Sequence, residues 1–440
     1  MKSLRFVLAV LMALAILAPT VFAGGQGEAG SGQEDEPLKL TGWSYEVDVV
    51  NENLEVFEEQ SGLEVDDYYN FPSNQYRDKL VSSFVAGTEF DVVYVRDSYL
   101  AEWVSAGWLE PITDYPGLEQ YREDIPESAR NLMSYKGELY GLPYYAGRNV
   151  LAYNARHLEE AGIDAPPETW SEMVEQARTI KEAGISDYPI VLQLNKSQHI
   201  MYQLENIAFA HGGTLFNDDM EPVFAAPDSA FRDALNWVID GMNNEGVIDR
   251  ASLSSTDHEV VRAMAAGTRT FALLTDYNLK TLNDPESSQE AGNMKMALVP
   301  GNGEVRSGTR AYIRFYGITS NSKQKLNAWQ LVQFLGGRDA NGEYYVAKKW
   351  AVEYGLGFVQ QPLFKDPEVA ASIEEWGDPE VLSEQDKYAV PQPYRFTPWF
   401  QEWQTAAWGE LQKAILGDLT VDVVVTEMAE NAERLKAQYE

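Results

Sequence analysis

The sequence predicts an α/β protein of two lobes, each built on a doubly wound sheet flanked by helices. A chain of 440 residues is longer than one hydrophobic core usually supports, so two lobes or domains are the default expectation. Strand-like and helix-like segments alternate near the start of the chain, and the alternation begins again after Pro166 and Pro167. Such alternation is typical of sheets that carry helices on both faces.

The first run of elements lies before residue 100. Short apolar runs predict strands at 38–43, 64–69 and 91–95. Between them, apolar residues three or four apart predict one helix starting near Val47 and a second that ends at Gly87. The third strand is apolar along its whole length, which is typical of a parallel strand buried on both faces. Strand, helix, strand, helix, strand is the order of a doubly wound lobe.

The second run opens with a helix that Thr169 caps, because Thr169 and Glu172 have the T-x-x-E spacing of a capping box. The last 45 residues are predicted to be helical, with a break at 416–418. Between these helices the apolar pattern predicts strands at 188–194, 270–275, 294–299 and 312–319, and helices near 198–210, 228–244, 257–266 and 328–335.

Composition excludes several partners. The chain has 34 Lys plus Arg against 68 Asp plus Glu, a net charge of −34, so its surface repels nucleic acid and anionic lipid. The same field makes a strongly anionic ligand less favourable unless a local basic pocket overrides it. Cysteine is absent, which excludes disulfides, thiolate metal sites, thiol catalysis and attachment through a lipidated cysteine. The four histidines show no ligand-like spacing, and we predict neither a metal site nor a cofactor.

The N-terminus has the features of an export signal. Lys2 and Arg5 precede an apolar run from Phe6 to Leu17, and small residues follow up to Ala23. The run is shorter than the roughly 20 residues that span a bilayer. We therefore expect a signal peptide at 1–23, cleaved to give a periplasmic or extracellular protein. Residues 24–36, rich in Gly, Gln and Glu, are predicted to be a flexible linker.

Aromatic, acidic and basic side chains follow several predicted strands. Ligands of open α/β sheets bind beyond the carboxyl ends of the strands, so these positions are candidate binding residues. Aromatic rings stack on the apolar face of a sugar, while carboxylates and guanidinium groups hydrogen-bond its hydroxyls. The candidates are Trp43, Tyr45, Arg96, Asp97, Tyr144, Tyr145, Arg148, Asp276, Tyr277, Arg310, Trp399 and Trp403.

Some candidates have a purely structural alternative. Asp97 has the position of a helix N-cap. Arg148 could form an ion pair between lobes. Helix packing accounts for Trp399 and Trp403 as well as ligand binding does.

An ordered set of motifs resembles one family, the extracellular solute-binding proteins of ABC sugar importers (family 1, the maltose-binding-protein type). The motifs run through roughly 38–440, and their order is more specific than any one of them. They are the aspartate-led strand at 91–94 with Gly-Trp-Leu-Glu-Pro at 107–111, the Tyr-Lys-Gly-Glu-Leu-Tyr-Gly-Leu-Pro hairpin at 135–143, Leu-Ala-Tyr-Asn at 151–154 with Ala-Gly-Ile at 161–163 and Pro-Pro-Glu-Thr-Trp at 166–170, Gly-Gly at 212–213, Ala-Met-Ala-Ala-Gly at 263–267, and Gly-Ile-Thr-Ser-Asn-Ser at 317–322.

The resemblance implies a two-lobed periplasmic-binding-protein fold of type II. An N-terminal lobe of 37–147 plus 312–355 and a C-terminal lobe of 148–311 plus 356–440 would close about a hinge on a carbohydrate. It also implies docking on ABC permease subunits in the inner membrane, and we expect a monomer. The family's aromatic shelf falls on Tyr277. Near Arg148 maltose binders carry a carboxylate, so the ligand is not expected to be held as maltose is.

Three other functions remain open. An exported glycoside hydrolase needs only two suitably spaced carboxyls, but the chain has no G-x-S-x-G, H-E-x-x-H or Gly-rich phosphate motif. We therefore predict no enzyme activity. A binding protein for another solute, such as a polyol, glycerol phosphate, polyamine, peptide or metal ion, is the second alternative. A chemoreceptor or sensor partner is the third.

Overall fold

A mixed sheet runs through residues 36–439, the part of the chain that the computed structural model describes. The predicted signal peptide and most of the predicted linker lie outside the described residues. The strands are β1 (Leu40–Trp43), β2 (Tyr69–Phe71), β3 (Val92–Arg96), β4 (Leu109–Glu110), β5 (Ser134–Tyr135), β6 (Glu138–Leu139), β7 (Gly141–Asn154), β8 (Ile190–Val191), β9 (Phe271–Thr275), β10 (Met294–Ala297), β11 (Thr309–Thr319) and β12 (Ala389–Val390).

Helices cover this sheet. They are α1 (Val47–Ser61), α2 (Tyr76–Val85), α3 (Asp97–Ser105), α4 (Glu127–Leu132), α5 (Ala155–Glu160), α6 (Trp170–Glu182), α7 (Gln198–Ala210), α8 (Ala230–Asn243), α9 (Asp257–Ala265), α10 (Asn278–Asn283), α11 (Lys325–Gly336), α12 (Tyr345–Tyr354), α13 (Pro367–Trp376), α14 (Pro379–Asp386), α15 (Phe400–Leu416) and α16 (Val421–Tyr439).

The strand order across the described residues is β2-β1-β3-β11-β7-β9-β8, with β10 on β7 and with β4 and β12 on β11; β5 and β6 form a separate hairpin. Strand β1 is parallel to β2 and β3, whereas β11 is antiparallel to β3 and β7, and β9 is antiparallel to β7. The two long strands β7 and β11 are therefore central, and they pair from Gly141 opposite Gly317 to Arg148 opposite Ala311.

The long strands pass from one hydrophobic core to others. Leu142 and Tyr144 of β7 lie in a first core with β1, β3, α1, α11 and α12, which also includes residues between Leu356 and Val369. Beyond Asn149, Leu151 enters a second core with α6, α7, α8, α15 and α16. Val150 and Ala152 enter a third, smaller core with α9, α10 and β10. Because alternate residues of a strand point to opposite faces, these last two cores cover the two faces of one sheet.

Most predicted elements are found within a few residues of their expected bounds, but two strands differ. The strand predicted at 64–69 is found at Tyr69–Phe71, and Val65 forms only an isolated bridge with Leu38. The strand predicted at 188–194 is reduced to Ile190–Val191. There the backbone N–H groups of Leu192 and Leu194 bond to Ser252 instead of a neighbouring strand.

No helix within residues 36–439 combines the length and the apolar character needed to cross a membrane.

Thr169 caps α6 as predicted, and its Oγ1 accepts a hydrogen bond from the Glu172 N–H at 3.1 Å. In a capping box the Glu172 side chain would also accept from the N–H of Thr169. Here it accepts instead from the N–H of Glu168, at 2.8 Å. We expect Thr169→Ala to lower the free energy of unfolding by about 1 kcal/mol, measured by denaturant titration. Thr179→Ala, on the exposed face of the same helix, is the control and should change it by no more than about 0.5 kcal/mol. Equal losses in both variants would contradict the capping role.

Candidate functional site

A cavity of about 910 Å³ opens at the carboxyl ends of β1, β3 and β9 and along the middle of β7 and β11. This position agrees with the general rule that ligands of open α/β sheets lie beyond the strand ends. Residues of the first core, such as Trp43 and Leu356, and of the third core, such as Val261 and Trp376, contribute to its wall. Its lining includes Trp43, Tyr45, Arg96, Tyr145, Gln193, His199, Tyr202, Asp257, Tyr277, Arg310, Tyr312, Arg314, Tyr354 and Trp376.

Three tyrosines form an aromatic wall in this cavity. The Tyr145 ring meets Tyr277 and Tyr312 edge-on, each with centroids 6.2 Å apart and planes near 90°. The Tyr312 hydroxyl donates to Thr275 Oγ1 at 3.1 Å, which fixes that ring in place. The arrangement offers ring surface for stacking from more than one direction.

Strand alternation decides which aromatic side chain reaches the cavity. Tyr144 and Tyr145 are neighbours on β7 and point to opposite faces. Tyr145 lines the cavity, whereas Tyr144 is 3% exposed and packs on Trp43, Tyr94 and Tyr316. The predicted role of Tyr144 as a ligand contact is therefore corrected to support of Trp43, which does line the cavity.

Arginines form the floor of the cavity. Arg310, Tyr312 and Arg314 are alternate residues of β11 on its cavity face, and Arg96 ends β3 beside them. The Arg310 guanidinium lies 3.6 Å from the centroid of the Tyr202 ring, and that of Arg314 lies 4.4 Å from the Tyr312 ring. The rings hold the charges in a fixed geometry.

Two buried carboxylates lie behind this floor. Asp97 accepts from Arg314 Nη1 at 2.9 Å and pairs with Arg395 Nη2 at 3.2 Å. Glu205 pairs with Arg310 Nε at 2.9 Å. Asp97 also accepts the Ser98 N–H at 2.7 Å in the first turn of α3, so it positions arginines and does not face the cavity.

The arginines set the electrostatic potential at the floor. Burial alone would raise the pKa of the Tyr202 phenol, but Arg395, Arg96, Arg310 and Arg314 bring that pKa below its ordinary value. Burial and then Arg96 and Arg310 lower the pKa of His199 to about 4, so His199 is neutral at pH 7. The floor therefore favours negative charge.

The other predicted residues lie elsewhere. Arg148 and Asp276 form an ion pair at 2.9 Å, and Arg148 also pairs with Asp386 at 2.5 Å, so both are used within the fold and do not line the cavity. Trp399 and Trp403 are 3% and 0% exposed in the second core. Trp403 donates its ring N–H to the Met428 carbonyl at 2.9 Å. Helix packing accounts for both tryptophans, which corrects their assignment to the site.

Several lining residues escaped the sequence prediction. His199, Tyr202 and Gln203 share one face of α7 at helical spacing, and Asp257 starts α9. For β11 a signal was available, since the alternation that places Arg310 on one face also places Tyr312 and Arg314 there. No group of three or more acidic or histidine side chains suited to a metal occurs among residues 36–439.

Comparison with known proteins identifies the family of this chain. A family model described as bacterial extracellular solute-binding protein matches residues 43–342. A binding protein of Brucella abortus (strain 2308) is 26% identical over 276 residues, which cover 60% of this chain and 63% of that protein. A mannitol-binding protein of Pseudomonas aeruginosa is 27% identical over 176 residues, 39% of this chain and 40% of that protein. The chain thus spans less than two thirds of the length of the curated relatives it matches.

Solved structures match over more of the chain. The maltose-bound MalE3 of T. maritima has a TM-score of 0.80 at 21% identity, covering 91% of this chain and 99% of that one. A solute-binding protein of Thermotoga lettingae with bound α-D-tagatose has a TM-score of 0.80 at 23% identity, covering 91% and 100%. One of Agrobacterium vitis with bound D-mannitol has a TM-score of 0.77 at 20% identity, covering 92% and 99%.

The half-buried carboxylate of Asp257 makes the stability of the protein depend on pH. Burial raises the pKa of Asp257 to about 6, although Asn278 and Gln193 both donate to its Oδ1, at 3.1 and 2.8 Å. In the unfolded chain the pKa of Asp is near 3.9. The folded state thus binds the proton more tightly, and this residue reduces stability as pH rises from about 4 to about 6.

Asp257→Asn keeps an Oδ1 acceptor but cannot ionise. We expect it to raise the free energy of unfolding by about 1–2 kcal/mol at pH 7.5 and by much less at pH 4.5, measured by denaturant titration at both pH values. Asp114→Asn, which removes an exposed carboxylate, is the control. A gain of the same size at both pH values would contradict the raised pKa of Asp257.

Proposed function

We propose that this chain, which belongs to the bacterial extracellular solute-binding protein family, is the substrate-binding component of an ABC importer. Its fold is the two-lobed α/β fold of periplasmic binding proteins. It would bind a sugar or a polyol in the cavity and deliver it to permease subunits in the membrane. The observation that carries this proposal is the wall of Tyr145, Tyr277 and Tyr312 beside buried hydrogen-bonding side chains.

The composition of the cavity suits a polyhydroxylated ligand. Ring faces stack on C–H groups, each contributing about 0.5–1.5 kcal/mol beyond burial. Around them the side chains of Gln193, Asn149 and Asp257 offer donors and acceptors. Maltose and D-mannitol are bound in solved structures with this fold, and sugars or polyols are the ligand classes we propose here. The arginine floor disfavours the polyamine alternative, because a cation would be repelled.

We divide the chain into lobes at the crossing of β7 and β11. The first core would form the N-terminal lobe, and the second and third cores the C-terminal lobe. Residues Leu356 to Val369 pack in the first core, so the return to the C-terminal lobe is proposed after Val369 and not at residue 356. The two long strands would serve as the hinge.

Closure follows from this division. A ligand that contacts Trp43 and Tyr45 from one lobe and Tyr277 and Asp257 from the other gains both sets of contacts only when the lobes are closed. It therefore shifts the population towards the closed form. No covalent chemistry is needed, and we propose that the protein is a monomer, exported by its signal peptide, without enzyme activity.

A thermal-shift and calorimetric screen across neutral and acidic sugars and polyols tests this function. At least one member should raise the melting temperature with concentration, because a ligand that binds only the folded state stabilises it. Lack of any shift across the panel would contradict the sugar and polyol assignment. Release of smaller sugars from an oligosaccharide would contradict the absence of catalysis.

Removal of one ring tests the aromatic wall. We expect Tyr277→Ala to weaken binding of the identified ligand about tenfold, because stacking area is lost, while the protein stays folded. Calorimetric titration measures the affinity, and circular dichroism the fold. Tyr188→Ala removes a tyrosine exposed outside the cavity and should leave the affinity unchanged. Unchanged affinity in Tyr277→Ala would remove Tyr277 from the site.

A further inference from the structure

We propose that the ligand of this cavity is an acidic sugar or polyol, whose carboxylate or phosphate group binds the arginine floor. The proposal rests on the proposed function and names its ligand class. The observation behind it is an excess of buried positive charge: among residues 36–439, the four buried arginines Arg96, Arg310, Arg314 and Arg395 form ion pairs with only two carboxylates, Asp97 and Glu205.

Arg96 carries the uncompensated charge. Its side chain is 6% exposed, and it forms no ion pair with any residue from 36 to 439. One guanidinium nitrogen, Nη2, donates to Ser73 Oγ at 2.5 Å, while Nε has no hydrogen-bond partner among the described residues. Arginine does not lose its proton in proteins, so this charge persists at every working pH. A buried charge without a partner is costly for the fold.

Arg96 also faces a like charge across the sheet. In the antiparallel pairing of β3 and β11, Arg96 lies directly opposite Arg314. Like charges at opposite positions of neighbouring strands repel and destabilise the pair. The Asp97 carboxylate contacts Arg314 and Arg395 but not Arg96. An anion bound beside Arg96 would relieve this repulsion.

Arg310 supplies a second buried donor without a partner among the described residues. Its side chain is 2% exposed and lines the cavity, and its Nη2 has no hydrogen-bond partner among the described residues. Arginine side chains present forked N–H donors that match the two oxygens of a carboxylate or phosphate. Arg96 and Arg310 therefore each have a buried N–H donor without a partner among the described residues, and their forked donors suit an oxyanion better than single sugar hydroxyls.

Acidic residues at the outer part of the cavity do not cancel this charge. Glu46, Glu353 and Glu375 line the cavity but are exposed to solvent, where water and salt screen them. Asp257 also lines the cavity, but its carboxylate accepts from Gln193 and Asn278 and forms no ion pair with an arginine of residues 36–439. The arginines are buried, so their field acts in a medium of lower dielectric constant and is stronger at short range. A local basic pocket thus overrides the overall charge of −34.

Matched pairs of ligands test the proposal by calorimetric titration of the full chain. The pairs are D-glucose with D-glucuronate, D-galactose with D-galacturonate, sorbitol with D-gluconate, and D-glucose with D-glucose 6-phosphate, so that carboxylate and phosphate arms are separate. We expect at least one acidic member to bind about tenfold or more tightly than its neutral partner, the effect of one charge-assisted hydrogen bond. Neutral members that bind as tightly as or more tightly than their acids would overturn the inference and leave the proposed function standing. No binding in either series would overturn both.

Variants of Arg96 locate the effect. Arg96→Gln should weaken binding of the acid about tenfold or more and of its neutral partner less than about threefold, and Arg96→Lys should restore part of the loss. Arg178→Gln, which removes a charge on α6 outside the cavity lining, should change neither affinity. Without ligand, Arg96→Gln should melt no lower than the unaltered protein, because it removes the repulsion with Arg314. An equal loss for acid and neutral partner, or a lower melting temperature without ligand, would contradict the proposal.

Discussion

The antiparallel pairing of β7 with β11 is the constraint on which the structure depends. It joins the first core to the other two, and it carries Tyr145, Arg310, Tyr312 and Arg314 into the cavity. The pairing needs close approach at Gly147, where a Cβ atom would lie 2.5 Å from the Tyr312 hydroxyl oxygen. One small residue on β7 thus allows an aromatic ring on β11 to reach the cavity.

Trp43 and Tyr45, the cavity-lining rings that lie outside the aromatic wall, are held in place by a second layer of rings. Trp43 packs edge-on against Tyr94 at 5.0 Å and Tyr76 at 5.5 Å, and Tyr45 stacks on Trp350 at 6.0 Å. Cores packed this densely hold side chains in single rotamers. Rings fixed before binding lose little conformational entropy when a ligand arrives, which favours affinity. The same packing explains why so many tyrosines and tryptophans of the chain are structural and only some reach the cavity.

Sequence patterns predicted the elements better than the side-chain contacts. Helix α7 was predicted at 198–210 and is found at Gln198–Ala210, because a long periodic apolar pattern leaves little choice. Short strands such as β2 and β8 depend on which neighbour supplies hydrogen bonds, and that is a tertiary property. Six of the twelve predicted site residues line the cavity: Trp43, Tyr45, Arg96, Tyr145, Tyr277 and Arg310. Periodicity places Trp403 on α15 and Trp399 at the start of that helix, but it does not show which other element packs on them.

Net charge and local charge are separate properties of this chain. The chain has a net charge of −34, and most acidic side chains of residues 36–439 are not buried, so their charges are hydrated and cost the fold little. The arginines of β3 and β11 are buried, and replacing buried charges by apolar residues commonly leaves a fold equally stable or more stable. Asp97 stabilises the charge of Arg314, and Glu205 and the Tyr202 ring stabilise the charge of Arg310. Part of the free-energy cost of burying these two arginines is therefore offset within the fold. Among the described residues, the Arg96 guanidinium contacts the ring faces of Trp43 and Tyr99 and donates to the hydroxyl of Ser73, but it has no carboxylate partner. Its charge is therefore explained by a partner from outside the chain, and the cavity it lines is where that partner would lie.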